Sequence, residues 1–226
     1  MTNIITANII IIGNEILSGR TIDSNVNYLA KELTKIGIIV THVRMIADIE
    51  QEIIDNIIEL KDKCTYLFTT GGIGPTHDDI TSESVAKAFG CRLIKNQNAV
   101  NLLNEFYGDQ INESRLSMAD MPEGAKLISI DVRRGLGYYI NNLFVLAGIP
   151  RICKTMFEDL KPLLSGGDII YDKIVKIYVG EGVISKLFSD LQDSWKNVSM
   201  GSYPFIENNI YGTELVLRSS NIDDLD

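Results

Sequence analysis

The first 90 residues alternate between two hydrophobic patterns. The isoleucine-rich segment at residues 4–12 is typical of a strand that is buried on both faces of a parallel sheet, and residues 66–70 predict another strand. Apolar residues recur at helical spacing at residues 26–36 and 53–60, and Gly37 ends the first of these helices. Strands separated by single helices predict a mostly parallel α/β sheet in a three-layer αβα arrangement.

The same reasoning extends to residue 164. We expect Asp23 or Ser24 to cap the first helix. Two short apolar segments flank Asn141 and Asn142, which predicts a hairpin with a two-residue turn. Further elements are predicted as a strand at 38–45, helices at 50–63, 81–89 and 97–107, and a helix from Pro150 to about residue 164.

Residues 165–168 form a predicted linker, so we expect one domain at 1–165 and a small module at 168–226. The module has a β-α-β-β pattern, with strands at 173–179, 198–203 and 212–217. Its helix, at 182–193, is expected to turn Val183, Leu187 and Leu191 toward the sheet. A small sheet with an open edge predicts a homo-oligomer, either a dimer or a trimer.

Composition narrows the class of protein. The chain has 226 residues and a formal net charge of −9, and no basic run interrupts the acidic background. Nucleic-acid affinity needs a basic face, so no nucleic-acid partner is expected. The longest apolar run near the start is too short for a membrane span, and we expect neither a membrane partner nor a secretory signal. Three widely spaced cysteines fit a cytoplasmic protein without disulfides.

The strongest candidate site follows the strand at 66–70. Gly71, Gly72 and Gly74 allow positive φ angles and leave backbone N–H groups free to bind an anion such as phosphate. Pro75 stiffens the exit from this loop. Asp78 and Asp79 would repel phosphate directly, so we expect them to hold a divalent cation, Mg²⁺ or Co²⁺, or to activate water.

Further residues could contribute to this phosphate and metal site, and one alternative interpretation of the loop needs no ligand. Thr76 and Thr81 add hydroxyl groups beside the loop. An alternative interpretation is an ordinary strand-to-helix turn in which Asp79 or Thr81 only caps the helix. Two more candidate contacts lie elsewhere: Glu15 and Asn27 for a metal, hydroxyl or amide, and Gly148 for close approach of a ligand. Both stretches are also compatible with ordinary polar loops.

The run from Gly71 to Thr81 resembles the signature of MoaB/Mog-type molybdopterin-binding domains. Its paired aspartates are similar to those of the competence/damage-inducible protein A (CinA) branch. The motif from Gly13 to Gly19 resembles the opening motif of that branch, which usually has Thr where this chain has Asn14. Residues 201–218 resemble the region that follows the equivalent domain in eukaryotic FAD synthases.

This resemblance implies a mixed sheet with helices on both faces. It also implies a small nucleotide or pterin partner, with Asp79 as the acidic residue of a metal and nucleotide site. The CinA branch implies metal-dependent pyrophosphatase activity on ADP-ribose or FAD. Three hypotheses therefore stand: a nucleotide pyrophosphatase, a molybdopterin-binding or adenylylating protein, and a binding or scaffold protein without catalysis.

Overall fold

The structure is a computed structural model, and it describes residues 4–129 and 131–226. Residues 1–3, at the start of the predicted first domain, and Ile130 lie outside the described residues. The chain divides into two compact units, one ending at Gly167 and the other comprising Asp168–Asp226.

The first unit contains a six-stranded sheet with the order β2-β1-β3-β8-β7-β6. Strands β2, β1, β3 and β8 are parallel, whereas β7 runs antiparallel to both of its neighbours. The strands of this unit are β1 (Ile5–Ile12), β2 (Ile38–Ile46), β3 (Tyr66–Thr70), β4 (Leu93–Lys95), β5 (Asp120–Pro122), β6 (Lys126–Leu127), β7 (Tyr138–Ile140) and β8 (Leu143–Leu146). The helices are α1 (Asn14–Leu17), α2 (Asn25–Lys35), α3 (Glu50–Lys61), α4 (Thr81–Ala88), α5 (Gln97–Tyr107), α6 (Glu113–Leu116) and α7 (Pro150–Leu160).

The isoleucine run of β1 packs on both faces of the sheet. Ile10 and Ile12 face one core, which α3, α4 and α5 cover. Ile9 and Ile11 face the other core, which α2 and α7 cover. Alternate residues of a strand point to opposite faces, so a strand with buried apolar residues on both faces needs a helical layer on each side. The predicted three-layer αβα fold is therefore confirmed.

Most element boundaries match the sequence pattern within a few residues, and the short elements were missed. The Asn141-Asn142 turn joins β7 to β8 as predicted, with Asn141 at φ 51°. Asp23 accepts a 2.9 Å hydrogen bond from the Val26 N–H at the start of α2. The helices α1 and α6 and the strands β4, β5 and β6 were not predicted. These segments have two to four residues, which is too few to show a hydrophobic period.

The second unit is a three-stranded antiparallel sheet with one helix. Its strands are β9 (Tyr171–Ile177), β10 (Ser199–Glu207) and β11 (Ile210–Ser219), in the order β10-β11-β9, and its helix is α8 (Glu181–Ser194). The predicted β-α-β-β module is therefore present, with strands up to four residues longer than the pattern indicated. The turn between β10 and β11 consists of Asn208 and Asn209, both with positive φ.

The predicted inward face of α8 was wrong. Val183, Leu187 and Leu191 are exposed, and Ile184 and Phe188 are half-buried instead. The half-buried residues Ile184 and Phe188 lie on the same face of α8 as Gln192. Because Gln192 is polar, this face is less hydrophobic in the sequence than the face of Val183, Leu187 and Leu191. The Gln192 amide donates to the Val198 carbonyl at 2.8 Å and accepts from the Met200 N–H at 2.8 Å. Gln192 therefore faces the sheet because it satisfies backbone groups there, which hydrophobicity alone does not reveal.

Among the described residues, no helix is both long and apolar enough to cross a membrane.

We predict that Phe68→Ala destabilises the first unit by about 3–5 kcal/mol, because it leaves a cavity in the core. Phe68 is fully buried and stacks on Phe144 at a centroid distance of 5.4 Å. Phe106→Ala is the matched control: Phe106 is 46% exposed, so its loss should cost about 1 kcal/mol or less. Urea unfolding of both variants measures the difference, and equal losses would contradict this view of the core.

Candidate functional site

The loop after β3 has a backbone that only glycine accommodates at two positions. Gly71 has φ 102° and Gly72 has φ 66°, both in the left-handed region. A Cβ atom on Gly71 would lie 2.1 Å from the carbonyl oxygen of Ile12, and one on Gly72 would lie 2.2 Å from Oγ1 of Thr81. Gly74 does not have a positive φ, so the expectation that all three glycines serve backbone conformation was wrong there.

Thr81 fixes this loop to the first turn of α4. Its Oγ1 donates a 3.0 Å hydrogen bond to the Gly71 carbonyl, and its backbone N–H donates a 3.0 Å bond to the Gly72 carbonyl. Thr81 is fully buried. Residue 80 is the N-cap of α4, and no side chain caps it. Neither Asp79 nor Thr81 therefore caps α4 with its side chain.

Three consecutive N–H groups of the loop remain available for a ligand. The N–H groups of Gly72, Ile73 and Gly74 have no hydrogen-bond acceptor among residues 4–129 and 131–226. The carbonyl groups of Gly71 and Gly72, by contrast, are engaged by Thr81. Such a series of N–H groups before a helix N-terminus suits an anion.

These residues lie on a cavity of about 680 Å³ at the carboxyl ends of the parallel strands. That is the position where ligands of open α/β sheets bind. The loop after β8 also lines the cavity and lies directly beside the glycine loop, since a Cβ atom on Gly148 would lie 3.2 Å from Cα of Gly71. Asn25 of α2 holds this second loop by donating a 2.8 Å hydrogen bond to the Gly148 carbonyl.

The cavity has an acidic rim, which consists of Glu15, Asp48, Asp78 and Asp79. Among the described residues that line the cavity, none is Lys or Arg. An anionic ligand would therefore meet the N–H groups of the glycine loop and four carboxylates, with no basic side chain to balance them. A bound phosphate would be repelled unless a cation accompanied it.

Hydrogen bonds orient two of the four carboxylates, Asp79 and Asp48. Asp79 accepts hydrogen bonds from the Thr76 N–H at 2.9 Å and from the Thr76 hydroxyl at 2.5 Å, both at Oδ2. Hydrogen bonding with Thr76 also holds the pKa of Asp78 below its ordinary value, so Asp78 is ionised at neutral pH. Asp48 accepts a 2.7 Å hydrogen bond from the Asn14 N–H. Asp79 and Asp48 are thus positioned by the protein itself.

Two glycines make room for rim carboxylates without adopting the left-handed backbone conformation. A Cβ atom on Gly13 would lie 2.7 Å from Oε1 of Glu15, and one on Gly74 would lie 2.7 Å from Oδ2 of Asp79. Both carboxylates therefore fold back over a backbone that has no side chain. Glycine serves close packing at these two positions.

The donor set fits a divalent cation that is shared with a ligand. Among the described residues, no three His, Cys, Asp or Glu side chains cluster into a complete metal site. Mg²⁺, however, is usually held by one or two carboxylates together with phosphate oxygens and water. Asp78 and Asp79 could be the two carboxylates of such a site, in which case a bound phosphate and water would have to provide the remaining ligands.

The structure brings together most of the residues that the sequence indicated. Glu15, Gly71, Gly72, Gly74, Pro75, Asp78, Asp79 and Gly148 all line the cavity. Thr76, Thr81 and Asn27 do not. Thr76 and Thr81 support the loop from behind, through the hydrogen bonds described above. Asn27 is exposed on α2, and its neighbour Asn25 makes the contact with the Gly148 loop.

Several lining residues were missed by sequence reasoning. Asp48 lies just after β2, so the rule that ligands meet the carboxyl ends of parallel strands would have found it. The cavity also has an apolar wall, and no sequence pattern predicts it because its residues come from distant segments of the chain. It includes Tyr107, Met118, Leu136 and Met156.

Comparison with known families agrees with this architecture. Residues 8–166 match the family described as "Probable molybdopterin binding domain", and residues 170–226 match "FAD synthase, middle domain". The first match covers more than half of the chain. The chain therefore belongs to the molybdopterin-binding MoaB/Mog-type family, in its CinA-like branch.

Individual relatives support the same assignment. A Clostridium beijerinckii protein, named as competence-damage inducible, is 34% identical over 208 residues, and the alignment covers 87% of this chain. This chain spans only 51% of that relative's length. An Archaeoglobus fulgidus protein is 30% identical, with 87% of this chain and 84% of the relative aligned. The crystal structure of CinA from Thermoplasma acidophilum, a protein of unknown function, has a TM-score of 0.66 and 28% identity, covering 71% of this chain and 98% of that one.

We predict that Gly71→Ala destabilises the first unit by about 2–5 kcal/mol, from left-handed strain plus the clash with the Ile12 carbonyl. Gly90→Ala is the matched control, because Gly90 has φ 64° but nothing lies within 4 Å of the place that an alanine methyl group would occupy. This control should lose only about 1–2 kcal/mol. Thermal unfolding compares the two, and a Gly71 variant no weaker than the control would contradict the close packing.

Proposed function

We propose that this protein is a divalent-metal-dependent pyrophosphohydrolase that acts on nucleoside diphosphate compounds of the ADP-ribose or FAD type. The observation that carries the proposal is the combination of three free loop N–H groups with four carboxylates and no Lys or Arg among the described residues of one cavity. A diphosphate is the ligand that uses both features, because its oxygens accept from N–H groups and bridge a cation to carboxylates.

The glycine loop holds one phosphate in this proposal. The N–H groups of Gly72, Ile73 and Gly74 donate to its oxygens, and the N-terminus of α4 adds a favourable dipole. The loop is held rigid by Thr81, so it need not reorganise when the substrate binds. The apolar wall around Tyr107 and Met156 accommodates the organic part of the nucleotide.

Asp78 and Asp79 are the residues that would hold Mg²⁺ or Co²⁺. A bound divalent ion would withdraw charge from the phosphoryl oxygens and lower the pKa of water. The lowered pKa of Asp78 suits a carboxylate that stays ionised as a ligand. Asp79 keeps a fixed orientation because Thr76 binds its Oδ2.

The reaction is hydrolysis of the diphosphate bridge. Water forms a new bond to one phosphorus, the bridging P–O bond breaks, and the bridging oxygen leaves with the second phosphate. For ADP-ribose the products are AMP and ribose 5-phosphate, and the proton lost by water passes to the solvent through the acidic rim. The free thiols of Cys64, Cys91 and Cys153 fit our proposal that this takes place in the cytoplasm.

Molybdopterin is the second candidate ligand, favoured by the family description of residues 8–166. Its phosphate would use the same glycine loop, and its pterin ring would lie against the apolar wall. An adenylylation of this ligand would need ATP as the co-substrate, whereas hydrolysis of ADP-ribose needs only water and the metal.

We predict that Asp79→Asn lowers the rate of AMP release from ADP-ribose at least about 100-fold, because the metal loses a charged ligand while the amide oxygen still accepts from Thr76. Asp62→Asn, an exposed change outside the cavity, should leave the rate unchanged. Chromatography of the products with Mg²⁺, Co²⁺ or EDTA measures both. A folded wild type that releases no AMP with any metal would exclude the hydrolase.

The pterin alternative has its own readout. If the second candidate holds, molybdopterin and ATP with Mg²⁺ should give an adenylylated pterin, detectable by mass spectrometry, while ADP-ribose stays intact. Calorimetric binding of either ligand without turnover, unaffected by Asp79→Asn, would instead indicate a binding protein that lacks the chemistry.

A further inference from the structure

The two outer strands of the sheet in the second unit differ in how well their free edges are protected. Strands β10 and β9 are the outer strands, and β11 lies between them. An outer strand presents unpaired N–H and C=O groups along one side, and these groups can pair with another chain. The two edges can be compared once the outward-facing positions are known.

The hairpin turn fixes which positions face outward. Glu207 and Ile210 flank a two-residue turn, so they exchange hydrogen bonds, and every second residue from there does the same. The intervening residues of β11 bond to β9, through pairs such as Leu215 with Val175. The backbone groups of Met200, Ser202 and Pro204 on β10, and of Asp172, Ile174 and Lys176 on β9, therefore point away from the sheet.

The β10 edge is protected at two places, its start and Pro204. Gln192 binds the Val198 carbonyl and the Met200 N–H, which is the pattern that a neighbouring parallel strand would make. Pro204 occupies an outward position where it has no N–H to offer. A capping side chain and an edge proline are common means of preventing strand addition.

The β9 edge has neither protection. No proline occurs from Tyr171 to Ile177, and the N–H groups of Ile174 and Lys176 have no acceptor in the part of the chain that the structure describes. The Ile174 side chain is 54% exposed. The open positions carry one acidic, one apolar and one basic residue, in that order along the strand.

We propose that the β9 edge pairs with β9 of a second copy of this chain, antiparallel and centred on Ile174. In this register Ile174 lies opposite Ile174 of the second copy, and Asp172 lies opposite Lys176 of the second copy. Twofold symmetry creates the second Asp172–Lys176 pair. Each of these facing pairs exchanges two backbone hydrogen bonds, and the result is a continuous six-stranded sheet across the dimer axis.

Charge complementarity selects this register. If the twofold centre moves from Ile174 to a neighbouring residue, Asp172 and Lys176 both lie opposite neutral residues of the second copy. A shift by two residues places Asp172 opposite itself or Lys176 opposite itself, and like charges that face each other across strands are unfavourable. The Ile174-centred register alone joins opposite charges at both ends of the open edge.

The neighbouring strand extends the same alternation. Asp172 faces Arg218 on β11, and Lys176 faces Glu214, with 3.4 Å between Nζ and Oε1. The dimer would therefore contain two rows in which Arg218, Asp172, Lys176 of the second copy and Glu214 of the second copy alternate in sign. Among the described residues Asp172 has no ion-pair partner of its own, so its charge is available to the second copy.

Sedimentation equilibrium of the full chain tests the proposal. The wild type should show a reversible dimer in the micromolar range, as a small interface implies. Asp172→Lys and Lys176→Asp should each raise the dimer Kd about tenfold or more, because each places like charges opposite twice. An equimolar mixture of these two variants should regain the wild-type Kd, since a mixed dimer pairs opposite charges in both rows.

Two further variants separate this edge from other contacts. Ile174→Pro removes an outward N–H that no described residue of the same copy uses, just as Pro204 lacks an N–H at an outward position of β10. The variant should therefore be a monomer by sedimentation and should keep its fold by circular dichroism. Lys196→Asp, on an exposed lysine that pairs only with Asp193 among the described residues, should leave the Kd unchanged. A wild type that stays monomeric, or a dimer that neither Ile174→Pro nor the charge variants weaken, would overturn the proposal.

Discussion

The close approach of the β3 loop to the end of β1 is the constraint on which the candidate site depends. Gly71 lies so near the Ile12 carbonyl that no side chain fits, and its own carbonyl is held by the buried hydroxyl of Thr81. This contact brings the loop, the rim residues after β1 and the start of α4 to one place. Because the carbonyl groups are used internally, the N–H groups are the part of the loop left for a ligand.

The acidic rim gives this phosphate-type loop an unusual electrostatic setting. In many phosphate sites a lysine or arginine balances the ligand charge. Here the described cavity lining has carboxylates and no such residue, so an anion would need a cation to accompany it. Under the proposed function, such a site would favour a metal–diphosphate complex over a free phosphate, because only the complex would neutralise both the rim and the ligand. This is the physical link between the fold and the proposed hydrolysis.

The two units differ in how completely their sheets are covered by helices and paired at their edges. The sheet of the first unit is covered by helices on both faces, and its core satisfies the hydrophobic pattern of β1 completely. The second unit has a single α-helix among its described residues, and Val183 and Leu187 of this helix remain exposed. Its β9 edge is unpaired in the described chain. A small unit with so little burial gains most from an additional contact. The proposed pairing of β9 with a second copy would supply one without any change in the fold.

The sequence by itself determined the parallel sheet, its flanking helices, the hairpin at Asn141 and the glycine–aspartate loop. These features rest on local period and on residues whose backbone or charge preferences are strong, so they can be recognised without knowing the partners. Tertiary structure decided the rest. Asp48 and Tyr107 reach the cavity only because the sheet brings distant segments together. Gln192 rather than Leu187 faces the second sheet because unpaired backbone groups of β10 need a partner, and hydrophobic periodicity contains no information about that need.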